Sequence, residues 1–227
     1  MDDRCLLFFM KNPERGRVKS RLATAVGTRT ARMLYRNFIL DMLSSLQEKG
    51  FPLMICFHPE HALHDVQKTI GQAFRFQPQK GNDLGQRMEH CFRSAFSQDF
   101  HRVVVIGSDI PDLPAQIVDD SFSALTSYDS VIGPSFDGGY YLIGFQRSRF
   151  LPDVFTGIHW GTHEVAKETI DTLNRYDTTT HMLPKWNDID TPEDLRRLYH
   201  KNKNSPFCPR TIAYLRRIKL PSLEHTQ

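Results

Sequence analysis

The chain of 227 residues contains no apolar run near the ~20 residues that a helix needs to span a bilayer. Its first apolar stretch, Cys5 to Met10, is too short for a secretory core, and Asp2 and Asp3 precede it where a basic region belongs. The expectation is a cytoplasmic protein with no membrane span. Cysteine is scarce: Cys5, Cys56, Cys91 and Cys208 are far apart, and none forms a Cys-x-x-Cys pair. That spacing speaks against a zinc site or a disulfide framework and for buried free thiols. The histidines are scattered without a His-Glu-x-x-His spacing, and there is no Gly-x-Ser-x-Gly nucleophile motif. Internal repeats and low-complexity segments are missing too.

The main body also lacks positive charge. The net charge is +3, but after Asp194 the chain carries eight Lys or Arg against one acid, Glu224, so the first 194 residues stand at −4. A mildly acidic body is a poor nucleic-acid partner, which would show a basic face interleaved with stacking aromatics. With 40% apolar and 24% charged residues, the composition is that of a globular protein with an ample core. The expected organisation is one domain over residues 1–200, followed by a basic extension, 201–227. Ile212, Leu215 and Ile218 in that extension suit a helix packed on the domain or on a second subunit, as in a homodimer.

Strand and helix patterns alternate. Cys5 to Met10 reads as a strand covered on both faces. A loop follows, then a helix from about Thr28 to Lys49 with Ala31, Leu34, Tyr35, Phe38, Ile39, Met42 and Leu46 on one face and Gly50 closing it. Further strands are expected at Pro52–Phe57, Phe74–Phe76, Arg102–Ile106, Ser130–Gly133, Tyr140–Phe145 and Thr180–Leu183. Helices are expected between them, one started by Pro111 and Pro114 and one capped by Thr162. Thr191, Pro192 and Asp194 form an N-cap, an N1 proline and a capping box for a last main helix. The alternation implies an α/β protein: a three-layer α/β/α sandwich on a mostly parallel, mixed sheet.

In such sheets ligands bind beyond the carboxyl ends of the strands. After the first strand comes Lys11 to Arg21, with five basic residues, one acid and Gly16 for a tight turn. It is either a solvated basic loop or a phosphate cradle, and its position favours the cradle. It is not a Walker loop, because the Gly-x-x-x-x-Gly-Lys spacing is absent. After the strongest strand comes Ser108-Asp109, a metal ligand or a helix cap. Asn187-Asp188-Ile189-Asp190 puts two carboxylates on one side of an extended segment. Two acids from different strand ends, with phosphate oxygens, are a common way to hold Mg²⁺. Asp137-Gly138-Gly139-Tyr140 is either a ligand-approach loop or a hairpin turn.

Taken in order, Lys11-Asn12-Pro13 with Gly16, Val18-Lys19-Ser20-Arg21-Leu22, Asp83-Leu84-Gly85-Gln86-Arg87-Met88, Gly107-Ser108-Asp109-Ile110-Pro111, Asp137-Gly138-Gly139-Tyr140, Trp160-Gly161-Thr162 and Asp188-Ile189-Asp190-Thr191 resemble the bacterial rSAM/selenodomain-associated transferases. These belong to the nucleotide-diphospho-sugar transferase (GT-A) superfamily, whose relatives include 2-phospholactate guanylyltransferase. The resemblance implies a Rossmann-like GT-A fold. It implies nucleotide and phosphate contacts from Lys11, Asn12, Pro13, Gly16, Arg17, Gly85, Gln86 and Ser108, with Lys19 and Arg21 acting on the phosphates. It implies Mg²⁺ or Mn²⁺ on Asp109, Asp188 and, as a third candidate, Asp190. Asp137, Gly138, Gly139, Tyr140, Trp160 and Thr162 are the implied acceptor or substrate loop. The expected partners are a nucleotide and a small-molecule acceptor. Nucleotidyl transfer with pyrophosphate release is the leading expectation. Glycosyl transfer from a nucleotide sugar and a non-catalytic nucleotide-binding module are the alternatives.

Overall fold

The structure, a computed structural model, describes residues 3–13 and 18–218. Gly16 and Arg17, both expected at the site, lie outside the described residues. Seven strands form one sheet: β1 (Arg4–Lys11), β2 (Leu53–His58), β3 (Arg75–Pro78), β4 (Arg102–Gly107), β5 (Ser130–Pro134), β6 (Tyr140–Gln146) and β7 (Thr180–Met182). Their order is β3-β2-β1-β4-β6-β5-β7. Only β6 runs against the others, pairing antiparallel with both β4 and β5. The chain moves outward from β1 to β2 and β3, then returns to lay β4 on the other side of β1. That reversal makes the carboxyl ends of β1 and β4 the switch point of the sheet.

The β1 side chains show why the sheet is covered on both faces. Leu6, Phe8 and Met10 enter one apolar cluster, whereas Cys5, Leu7 and Phe9 enter the other. A strand alternates its side chains across the sheet, so a continuous apolar run needs a layer on each side. The first face is covered by α1 (Ser20–Val26), α2 (Thr28–Gln47), α3 (Leu63–Ile70), α5 (Ala115–Ala124), α7 (Pro192–Asn202) and α8 (Pro209–Ile218). The second is covered by α4 (Leu84–Phe96) and α6 (Val165–Arg175). Phe92 of α4 centres an aromatic nest with Phe145, Phe150 and Phe155 at 5.3–5.9 Å between centroids. All four cysteines are buried and free. No helix among the described residues is long and apolar enough to cross a membrane.

Several local expectations change. Helix α1 lies where a loop was expected, because Lys19 precedes it in a left-handed conformation (φ 52°) with no side-chain cap to announce it. Leu22 anchors this helix, fully buried. Helix α5 starts at Ala115, after Pro114 alone, and Pro111 sits in the preceding turn. Thr162 does not cap α6, which begins three residues later. Its hydroxyl instead donates to His159 O and accepts from Glu164 N. Asp109 is not a cap either. The capping box of Thr191 and Asp194 is present, with Pro192 at N1.

Helix α8 packs on α2 of the same chain, burying Ile212 and Leu215 in the first cluster. Its start is held by Asp41 of α2, whose carboxylate accepts from Arg210 N, Thr211 N and Thr211 Oγ1 at 2.7–3.0 Å. A carboxylate at a helix N-terminus satisfies amides that have no partner within the helix.

Candidate functional site

The carboxyl edge of the sheet opens into a cleft of about 420 Å³. Lys11 ends β1, Ser108 and Asp109 follow β4, and Tyr140 opens β6, which runs the other way and so begins at this edge. Asp188 and Asp190 arrive from the far side because Ile189 N donates to Asp109 O at 2.9 Å, stitching the two segments together. That bond leaves the residues flanking Ile189 beside Asp109. The alternation read from the sequence thus brings three acids to one place, from two segments 80 residues apart.

Lys19 lies among them. Its side chain is 4% exposed, and its ammonium stands 2.7 Å from both Asp109 Oδ1 and Asp190 Oδ1. It donates a hydrogen bond to Asp190 and is ion-paired with Asp109 Oδ1, so one ammonium is shared between two carboxylates. Burial alone would lower the Lys19 pKa. The two carboxylates outweigh it, and the ammonium is held above its ordinary value. Asp188 makes no ion pair among the described residues. Burial, followed by the charges of Asp109 and Asp137, pushes its carboxyl up to about 8. Two carboxylates that share one ammonium, beside a third carboxyl reluctant to ionise, make a site short of positive charge.

These residues suit a hard divalent cation. Asp109 and Asp188 offer oxygen ligands, and Mg²⁺ is commonly held by one or two carboxylates together with water and substrate phosphates. Among the described residues no three His, Cys, Asp or Glu side chains form a ready-made cation cage. Asp190, the third candidate ligand, is paired with Lys19 at the same distance as Asp109.

Residues that pattern reading missed hold the site's frame. Tyr35 of α2 is buried, and its hydroxyl lies 2.8 Å from Ser108 Oγ while accepting the Lys11 amide at 2.9 Å. It clasps the two strand ends at the switch point. Burial pushes its phenol well above the ordinary range, so it stays a neutral hydrogen-bonding group. Gln79, Leu84 and Tyr141 also line the cleft.

Of the expected residues, Lys11, Lys19, Arg21, Ser108, Asp109, Tyr140, Asp188 and Asp190 come together around it. The others sit behind or beside it. Asn12 is fully buried, with its side-chain amide donating to Asp65, and Pro13 O accepts from Arg32. Gly85 lets α4 close on Trp160, since a Cβ there would stand 2.5 Å from Phe155 O and 2.8 Å from the indole. Gln86 accepts from Asn82 N and braces the turn into α4. Trp160 packs edge-on against Tyr140 at 6.4 Å. Asp137-Gly138-Gly139 is the turn between β5 and β6, with Asp137 accepting from Gly139 N.

A mixed, mostly parallel seven-stranded sheet sandwiched by helices, with an acid- and base-lined cleft at its switch point, is the fold of nucleotidyltransferases and nucleotide-diphospho-sugar transferases. A crystal structure from Desulfovibrio desulfuricans G20, provisionally assigned as a nucleotide-diphospho-sugar transferase, matches with a TM-score of 0.94 and 43% identity, covering 100% of both chains. The chain belongs to the family described as "uncharacterized protein conserved in bacteria" (DUF2064), whose match spans residues 42–162. It is also similar to the 2-phospho-L-lactate guanylyltransferase of Methanocaldococcus jannaschii, 23% identical over 80% of this chain and 77% of that protein. A cytidylyltransferase from Leptospira borgpetersenii shares the fold at a TM-score of 0.55 and 15% identity, covering 100% of this chain and 99% of that one.

Proposed function

We propose that the protein is a nucleotidyltransferase that joins a nucleoside triphosphate to a small phosphorylated acceptor. The observation that carries this reading is the meeting of Asp109 and Asp188 with Lys11, Lys19 and Arg21 at the switch-point cleft. Acids there suit a cation, and bases suit a polyphosphate. The names of the guanylyltransferase and cytidylyltransferase relatives support the same class.

In the reaction, an oxygen of the acceptor phosphate forms a bond to the α-phosphorus. The bond from that phosphorus to the bridging oxygen breaks, and pyrophosphate leaves with the electron pair. Such chemistry needs positioning and charge stabilisation more than a covalent or strongly basic group, which fits the lack of a nucleophile motif. Asp109 and Asp188 would hold the divalent ion, which when bound neutralises phosphate charge. Arg21, at the cleft, offers a fork to phosphate oxygens, and Lys11 a point charge at the end of β1. Lys19 shares its ammonium between the acids and the incoming phosphates. Ser108, fixed by Tyr35, sets the position of the Asp109 backbone.

A second reading, glycosyl transfer from a nucleotide sugar, is favoured by the name of the 43%-identical structure. The single acid of Ser108-Asp109-Ile110-Pro111, where an Asp-x-Asp would serve that chemistry, weighs against it. Incubation with each nucleoside triphosphate, Mg²⁺ and a small-molecule extract separates the two. Pyrophosphate release supports nucleotidyl transfer, and nucleoside diphosphate release from added nucleotide sugars supports glycosyl transfer. Asp109→Asn should lower metal-dependent nucleotide binding or turnover about 100-fold, the scale of a lost charge-stabilising group, with little change in fold. Unchanged metal dependence in that variant would overturn the assignment.

A further inference from the structure

Gln79 follows β3 and reaches over the ends of the two neighbouring strands. Its side chain is buried, with 5% of the residue exposed, and it lines the same cleft as Asp109. Its Nε2 donates to Cys56 O at 2.7 Å and to Met10 O at 3.3 Å. An amide carries two N–H donors on nitrogen and none on oxygen. Both donors are therefore committed, and the orientation is forced, because the flipped amide would set Oε1 against the Cys56 carbonyl. Only Oε1 remains for the cleft. No described group donates to it, and it is not among the sealed, unpartnered atoms.

The same cleft is lined by Leu84, the first residue of α4, which is 43% exposed. A large apolar side chain left open in the same cleft as a fixed acceptor suits a flat, hydrogen-bonding ring. The amide lies between the ends of β2 and β1. By strand spacing that places it roughly 5–10 Å from the end of β4, where Asp109 sits. A ribose covers that distance between a base and its first phosphate.

We infer that Gln79 reads the base of the nucleotide, and that the edge it selects is that of guanine. This rests on the nucleotidyltransferase reading above. A carbonyl oxygen with both lone pairs free is matched best by two neighbouring donors. Guanine presents N1–H beside its exocyclic amine. Adenine and cytosine each set an acceptor nitrogen next to their amine, and uracil flanks its N3–H with two carbonyls. Those flanking acceptors face Oε1 and the Met10 and Cys56 carbonyls and are repelled. A polar site left unmatched rejects a ligand more strongly than an apolar one does.

The test is a binding series with Mg²⁺ and GTP, ITP, UTP or inorganic tripolyphosphate, on the wild-type chain and on Gln79→Met. Wild type should bind GTP about 10-fold more tightly than ITP, which lacks the exocyclic amine, as expected for one hydrogen bond lost, and UTP more weakly still. Gln79→Met, similar in volume, should erase those differences while leaving tripolyphosphate affinity unchanged. A GTP preference that survives the substitution, or a loss of tripolyphosphate binding equal to that of GTP, would overturn the role. The wild-type series stands without the variant: equal affinity for GTP, ITP and UTP rejects base reading while leaving the nucleotide site intact. Failure of wild type to bind even tripolyphosphate rejects the nucleotide reading itself.

Discussion

The Tyr35 hydroxyl lies 2.8 Å from Ser108 Oγ, so a helix on one face of the sheet fixes the residue next to Asp109. The same oxygen accepts the Lys11 amide, which makes one buried phenol the joint between the ends of β1 and β4. Tyr35→Phe keeps the packing and removes the joint. The Lys11 amide and the Ser108 hydroxyl each lose a partner, at about 1–3 kcal/mol for a buried unsatisfied group. Urea unfolding should show that loss, and nucleotide affinity should fall with it.

Lys19 is the internal counter-charge of an acid pair. Lys19→Met leaves Asp109 and Asp190 facing each other without it. Both carboxylates keep over 40% of their side-chain surface exposed, so the expected loss is about 1–3 kcal/mol rather than the full penalty of a sealed pair. Added Mg²⁺ should raise the melting temperature of the variant more than that of wild type. Equal shifts would mean that cation and ammonium do not share these acids.

Asp188 gives the metal-free protein a pH signature. Its carboxyl titrates near 8 in the fold against an ordinary 3.8. Below the lower value it is protonated in both states. As pH rises, the unfolded chain loses the proton first, so the fold is progressively penalised until the native group also ionises. Stability in EDTA should therefore decline through this window and level off above it. Asp188→Asn should flatten the decline, as read from urea midpoints across a pH series.

Gly138 is fixed by crowding as well as by its positive φ of 92°. A Cβ there would lie 2.1 Å from the His163 carbonyl oxygen. Gly138→Ala should cost about 2–4 kcal/mol from overpacking and backbone strain, detectable as a lower thermal midpoint. Gly157→Ala has a φ of 71° but meets nothing within 4 Å, so it should cost less.

The layered fold was legible because β1 carries six consecutive apolar residues and α2 keeps its apolar face for five turns. Periodicity of that length leaves one architecture. Asp109 and Asp188 were legible because acids beyond apolar strands demand a partner. Helix α1 was not, since it is only seven residues long and opens on a left-handed lysine instead of a capping side chain. Tyr35 registered only as one more core position, because periodicity senses the ring and not the hydroxyl. Gln79 gave no signal at all. Its role comes from two carbonyls on other strands, and a single sequence does not show which carbonyls a side chain will meet. Gly85 matched a motif, yet its reason for being glycine is the indole of Trp160, a neighbour 75 positions away.

The clasp between Asp41 and α8 has a consequence for how the chain is made. Asp41 is sealed within the first cluster, and its hydrogen-bond donors arrive 169 and 170 residues later. Until the ribosome has delivered Thr211, α2 carries an unanswered charge and an open apolar flank, while every strand of the sheet already exists. A nascent chain stalled before α8 would therefore present that flank to chaperones and proteases.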